Sequence, residues 1–207
     1  MKQLSEIGII PVDYSALESM LTKYASPRHK IADLEKAGQL VRLKRGLYVV
    51  SPTVSGRLLS TELIANHIYG PSYVSMESAL RYWGLIPENV YSVKSMTTKR
   101  SRQFDNTIAR FDYSFCSEAY FPIGVQQEEK EGYTFMIASP EKALCDLITA
   151  TPNVQPRFVK SMQLFLEEDL RLDMDAFAAM DSNIFQTCVA VGKKRKDIEN
   201  LIKLIER

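Results

Sequence analysis

The chain has 207 residues, 45% of them hydrophobic and 25% charged, with a formal net charge of +1. That is enough apolar material for a substantial core and too much for a disordered protein, while no run approaches the ~20 apolar residues that span a bilayer. Three widely spaced cysteines without a CxxC (Cys116, Cys145, Cys188) and only two histidines (His29, His67) argue against a disulfide framework and a zinc or histidine-rich metal site, so no metal and no cofactor is expected.

The N-terminal stretch MKQLSEIGIIPVDYS carries no long apolar run, so a cytoplasmic protein is expected rather than an exported one, with a short helix within residues 1–10. Tyr14, Leu17, Leu21 and Tyr24 are three, four and three apart, which predicts an amphipathic helix over 14–24. After a short Ala25–Ser26 turn, Ser26 suits an N-cap and Pro27 the first helical position. Ile31, Leu34 and Ala37 form one stripe, and Gly38 suits a left-handed helix terminus. Leu40–Leu43 and Leu47–Val50 read as two strands around Lys44-Arg45-Gly46, whose glycine supplies the positive φ of a tight turn.

A positioning helix, a second helix and a basic hairpin in this order form a winged helix-turn-helix. The second helix would enter the major groove of duplex DNA and the wing would rest on phosphate. The expected DNA-binding set is Arg28, His29, Lys30, Arg42, Lys44 and Arg45. From Lys23 to Arg45 there are seven Lys/Arg against Asp33 and Glu35, a local charge of +5 against −4 for the remainder, as a docking surface requires. A solvated helix face with an ordinary charged hairpin is the plainer reading of the same residues.

Ser51-Pro52-Thr53 ends the second wing strand and places a boundary before Leu59, giving an N-terminal DNA-binding domain over 1–58 and a second domain over 59–207. Helices are expected over 60–69, ending at Gly70-Pro71, and over 76–83, capped by Ser75 and ending at Gly84. Strands are expected over 72–74, 91–97, 111–116 and 133–138. Thr98–Asp105 reads as a polar turn and Gln126–Gly132 as a polar loop. Helices follow from Ser139 to about Ala150 and over 157–166, 174–180, 184–191 and 196–205. The fold class is α+β: a winged helix-turn-helix, then a mixed α/β domain with a helical tail.

Phosphate-loop, dinucleotide and nucleophile-elbow signatures are missing from the sequence. The nearest Glu-x-Lys, Glu128-Glu129-Lys130, falls in the expected polar loop, so no catalytic residue is expected. A second basic stretch, Lys94–Arg110, has five Lys/Arg and only Asp105 as an acid, +4 in all; it reads equally as a phosphate-binding patch or a solvated hairpin tip. Lys193-Lys194-Arg195-Lys196 reads as a solvated charge run. Glu77/Arg81 and Lys142/Asp146 are i,i+4 pairs whose spacing helix stability alone explains, and Cys145 reads as a core thiol.

Three segments in combination resemble the AbiEi-type antitoxin family of bacterial phage-defence operons: KAGQLVRLKRGLYVV at 36–50, YVSMESALRYWGLIPE at 73–88 and IASPEKALCDLI at 137–148. Their order and separation also match that family, and the resemblance spans about residues 14–150; the N-terminal region is short by comparison. The resemblance implies a transcriptional autorepressor acting as the antitoxin of a type IV toxin–antitoxin (abortive infection) operon. Its winged helix would bind an inverted repeat in its own operator, as a monomer in solution or a dimer on DNA. Its C-terminal domain would counter a nucleotidyltransferase-like toxin without needing a tight complex, and no membrane partner is implied. Glu77, Arg81, Lys99, Arg100, Arg102, Glu141, Lys142 and Asp146 would form the antitoxin surface. The competing expectations are a nucleic-acid-processing enzyme with a winged-helix targeting domain and a ligand-sensing winged-helix regulator.

Overall fold

The computed structural model describes residues 2–87, 91–152 and 156–206; Glu88, the last residue of the second motif, lies outside them. Among the described residues the fold is α+β, with eleven α-helices, one π-helical turn and two sheets. No helix among them is long and apolar enough to cross a membrane.

The N-terminal part runs α1 (Lys2–Ile7), β1 (Val12–Asp13), α2 (Tyr14–Met20), α3 (Pro27–Lys36), β2 (Leu40–Lys44) and β3 (Leu47–Val50). Its three strands form an antiparallel sheet in the order β1-β3-β2. Asp13 caps α2, accepting from Ala16 N at 2.7 Å, and α3 starts at Pro27 and gives way to Gly38 at φ +67°. Gly46 takes φ +80° in the hairpin turn, and its carbonyl accepts from Tyr14 N at 2.9 Å. The hairpin tip is thereby fastened to the start of α2.

A connector, α4 (Pro52–Ser55), and α5 (Thr61–Ile68) lead into a six-stranded mixed sheet of order β6-β7-β5-β4-β9-β8. Its strands are β4 (Ser72–Val74), β5 (Ser92–Thr97), β6 (Arg102–Asp105), β7 (Arg110–Phe115), β8 (Val125–Lys130) and β9 (Tyr133–Ala138), with α6 (Met76–Tyr82) between β4 and β5. The tail comprises α7 (Pro140–Ala150), α8 (Val159–Leu164) continuing into the π turn Phe165–Asp169, α9 (Met174–Ala178), α10 (Ser182–Val191) and α11 (Arg195–Ile205).

All four residues of β3 are buried, and the reason is topological. Strand side chains alternate between faces, so Tyr48 and Val50 join Leu4, Leu17, Leu21, Ile31, Leu34 and Leu40 in a small N-terminal core. Leu47 and Val49, with Leu43 of β2, enter the larger core of the second sheet and the tail. Two hydrogen bonds reinforce this junction: Asn106 Nδ2 donates to Leu43 O at 3.1 Å, and Lys44 Nζ donates to Ile68 O at 2.6 Å. The hairpin is thus a shared wall between two cores.

Three expectations are corrected. Gln126–Gly132 is not a loop: β8 pairs along its whole length with β9, and Glu131-Gly132 forms a two-residue turn with Gly132 at φ +82°. Within Thr98–Asp105, the segment Arg102–Asp105 is strand β6, paired with β7. Both are sheet-edge strands, where polar sequence is ordinary. The expected helix over 14–24 ends at Met20, with Leu21 as its cap, and Tyr24 stands 43% exposed in the turn.

Candidate nucleic-acid interface

Leu17 and Leu21 from the α2 segment pack with Ile31 and Leu34 of α3 in the small core, which fixes the other faces of α3. On one of them Arg28, Ala32 and Glu35 recur at i, i+4 and i+7. With Tyr14 and Glu18 of α2 and Arg42, Arg45, Gly46 and Tyr48 of the hairpin, they line an open groove of about 570 Å³. Three arginines and two glutamates are among its lining residues. The remaining basic residues at the start of α3 have other engagements. The expected cap hydroxyl of Ser26 does not bond backbone N–H; it meets His29 Nδ1 at 2.8 Å. Lys30 Nζ sits 5.0 Å over the Tyr24 ring.

The six residues expected on DNA are therefore divided. Arg28, Arg42 and Arg45 share the groove, His29 and Lys30 lie toward the α2–α3 turn, and Lys44 is half-buried outside the groove. Its ammonium is committed to Ile68 O, and burial, followed by repulsion from Lys99 and Arg102, holds its pKa below the usual lysine value. The sequence reading missed Tyr14, Glu18, Ala32, Glu35 and Tyr48 as groove residues. The i, i+4, i+7 spacing from Arg28 would have found two of them.

The expected antitoxin surface also divides. Lys99, Arg100 and Arg102 are exposed, and aromatic rings support the turn they form. Lys99 Nζ lies 5.4 Å over Tyr69 and donates to Gly70 O, Tyr69 OH donates to Arg100 O at 3.2 Å, and Arg102 lies 4.9 Å over Phe104. Arg81 is exposed, and Glu77 pairs with Lys94 Nζ at 2.6 Å.

Glu141, Lys142 and Asp146 are corrected: they are buried and form no surface. Lys142 and Asp146 pair at 3.2 Å with no side-chain exposure. Asp146 Oδ2 accepts from Ser75 Oγ at 2.6 Å, tying α7 to the start of α6. Lys142 Nζ donates to Tyr120 O at 3.0 Å and lies over the Tyr120 ring. Glu141 Oε1 accepts from Asp181 N at 3.1 Å, at the N-cap of α10. Burial raises the Asp146 pKa, against the opposing pull of Lys142 and Ser75. The SPEKALCD motif is thus a junction between α6, α7, α10 and the Tyr120 segment. Cys145 is a core thiol whose pKa burial pushes up, as it does that of Cys116, to about 11.

Glu128 and Lys130 of the Glu-x-Lys sequence lie on edge strand β8, where Glu128 accepts from Tyr82 OH at 3.0 Å and stands 3.8 Å from Lys130. Among the described residues no three His, Cys, Asp or Glu side chains converge as a metal site.

No family model matches the chain, and no curated protein does. Among solved structures it is similar to the crystal structure of the RV2827C protein from Mycobacterium tuberculosis, with a TM-score of 0.50 and 13% sequence identity over 98% of this chain and 79% of that one. At that identity the likeness concerns the fold alone.

Proposed function

We propose that this protein is a winged-helix regulator that binds duplex DNA through the groove between α3 and the β2–β3 hairpin. The observation that carries this reading is the pairing of an element order with a charge arrangement. The order α1-β1-α2-α3-β2-β3, with its sheet ordered β1-β3-β2, supports a winged helix-turn-helix reading. Arg28 from α3 and Arg42 and Arg45 from the hairpin face one open groove, with the guanidinium chemistry that takes phosphate and guanine. In this reading residues 1–58 bind the operator and 59–207 carry the effector role, although the two share a hydrophobic wall.

The effector role we propose is that of an AbiEi-like antitoxin, acting in the cytoplasm against a nucleotidyltransferase-like toxin. It rests on the sequence resemblance and, after the buried motif is set aside, on the exposed cationic turn Lys99-Arg100-Ser101-Arg102. The test of the DNA-binding reading is a titration of the full chain against the duplex upstream of its own gene and a scrambled duplex, at several salt concentrations. Preference for the native duplex by about a thousandfold or more is expected. Equal binding to both, or none to either, refutes the regulator reading.

A further inference from the structure

Resting on the DNA-binding reading above, we infer that Arg28, Ala32 and Glu35 read base edges, selecting a guanine and a cytosine roughly two to three base-pair steps apart with a thymine between them. The composition of the groove leads to this. A trough for phosphate alone would be lined by cations and neutral donors, yet Glu18 and Glu35 stand in it beside the three arginines. A carboxylate only accepts hydrogen bonds and repels phosphate. Among the described residues no ion pair joins Glu35 to these arginines, so its carboxylate calls for a donor from the ligand, and in the major groove the cytosine N4 amino group is the partner that carboxylates take.

Arg28 on the same face suits the O6 and N7 of guanine, and the Ala32 methyl suits the thymine methyl. Helix rise puts Arg28 and Glu35 about 10.5 Å apart along α3, a span over which a helix inclined in the major groove reaches bases roughly two to three steps apart. Asp33 and Lys36 do not line the groove, and His29 and Lys30 are engaged by Ser26 and Tyr24.

The experiment is selection of bound duplexes from a randomised library by the full-length protein, followed by affinity measurement on the selected site. The wild type should enrich guanine and cytosine at that separation. Arg28→Ala should erase the guanine preference and weaken binding to the selected site by about 5- to 150-fold. Glu35→Gln should switch the cytosine position to adenine, the base that glutamine reads, and leave the guanine position unchanged. Glu35→Ala should lose the preference there without a switch. Thermal unfolding that matches wild type in the Glu35 variants separates lost reading from lost folding, and their binding to a non-cognate duplex should rise rather than fall, because a carboxylate that repels phosphate has been removed. A wild type that enriches no sequence overturns the DNA-binding reading itself. A specific site whose preferences persist in the folded Arg28 and Glu35 variants overturns the assignment of readers and leaves DNA binding standing.

Discussion

Lys142 and Asp146 face each other across one turn of α7, 3.2 Å apart, with neither side chain reached by solvent. Such a pair stabilises little in net terms, because each ion forfeits its hydration, but removing one partner strands the other. Lys142→Met should therefore cost about 3–5 kcal/mol in urea denaturation. The double variant Lys142→Met/Asp146→Leu should recover much of that loss. Equal destabilisation by the double and single variants would mean that the pair is held by its other contacts, Ser75 and Tyr120, rather than by its charges.

Asp13 and Asp146 have opposite acid signatures. Hydrogen bonds from Ala16 N and Ser15 Oγ lower the folded pKa of Asp13 below 3.8. Its ionised form then adds stability above pH 3.8 that is lost as pH falls through the lowered folded value. Asp13→Asn keeps an acceptor for Ala16 N and removes the titration, so its stability should fall less steeply than wild type below pH 3.8. Asp146 works the other way: burial raises its folded pKa, so its ionisation costs stability above that value and the cost lifts as pH falls. Acid melts of wild type and Asp13→Asn measure the first effect directly.

Much of the fold was legible because its signals are local. Pro27, Gly38 and Gly46 punctuate α3 and the hairpin where the structure has them, and Ser139-Pro140 opens α7 as expected. The edge strands were illegible because VQQEEK and RQFD have no apolar alternation, and pairing with β9 and β7 is what makes them strands. The site was legible in half. Arginines announce a surface, but Lys44 and the Lys142–Asp146 pair look equally exposed on paper. Only the path of α5 half-buries the first, and only the packing around α7 puts the pair inside.

The shared hairpin should make the two cores unfold as one. Leu40 belongs to the small core and Leu43 to the large one, and either residue replaced by alanine should cost about 2–5 kcal/mol. Trp83, the one tryptophan, is bonded to Ala138 O at 2.9 Å, far along the chain from Leu40. Its fluorescence midpoint should nevertheless fall in Leu40→Ala as it does in Leu43→Ala. A Trp83 transition untouched by Leu40→Ala would show that residues 59–207 unfold independently of the N-terminal part.

Lys194 departs from the solvated reading of its charge run. Its ammonium donates to Ile148 O at 2.8 Å and Thr151 O at 2.7 Å, closing the C-terminal end of α7. Charge-assisted bonds to terminal helix carbonyls stabilise, so Lys194→Ala should lower stability by about 1–2 kcal/mol. Lys196→Ala, on an exposed position of α11, should stay within about 0.5 kcal/mol of wild type. Equal small effects at both positions would return the whole run to solvent.

Adjacent residues at the hairpin tip should behave differently on DNA. Arg45 lines the open groove, and each phosphate contact releases counterion, so Arg45→Ala should reduce the slope of log K against log salt by about one. Lys44 turns to the other side of the hairpin, where Ile68 O holds its ammonium at 2.6 Å and burial depresses its pKa. Lys44→Met should leave the slope unchanged and lower the thermal midpoint instead, since it abandons a hydrogen bond that joins the hairpin to α5. Measuring salt slope and melting on the same two variants separates the roles. A slope that falls in Lys44→Met with no change in melting would put this lysine on phosphate after all, and the wing would then meet DNA through its opposite face.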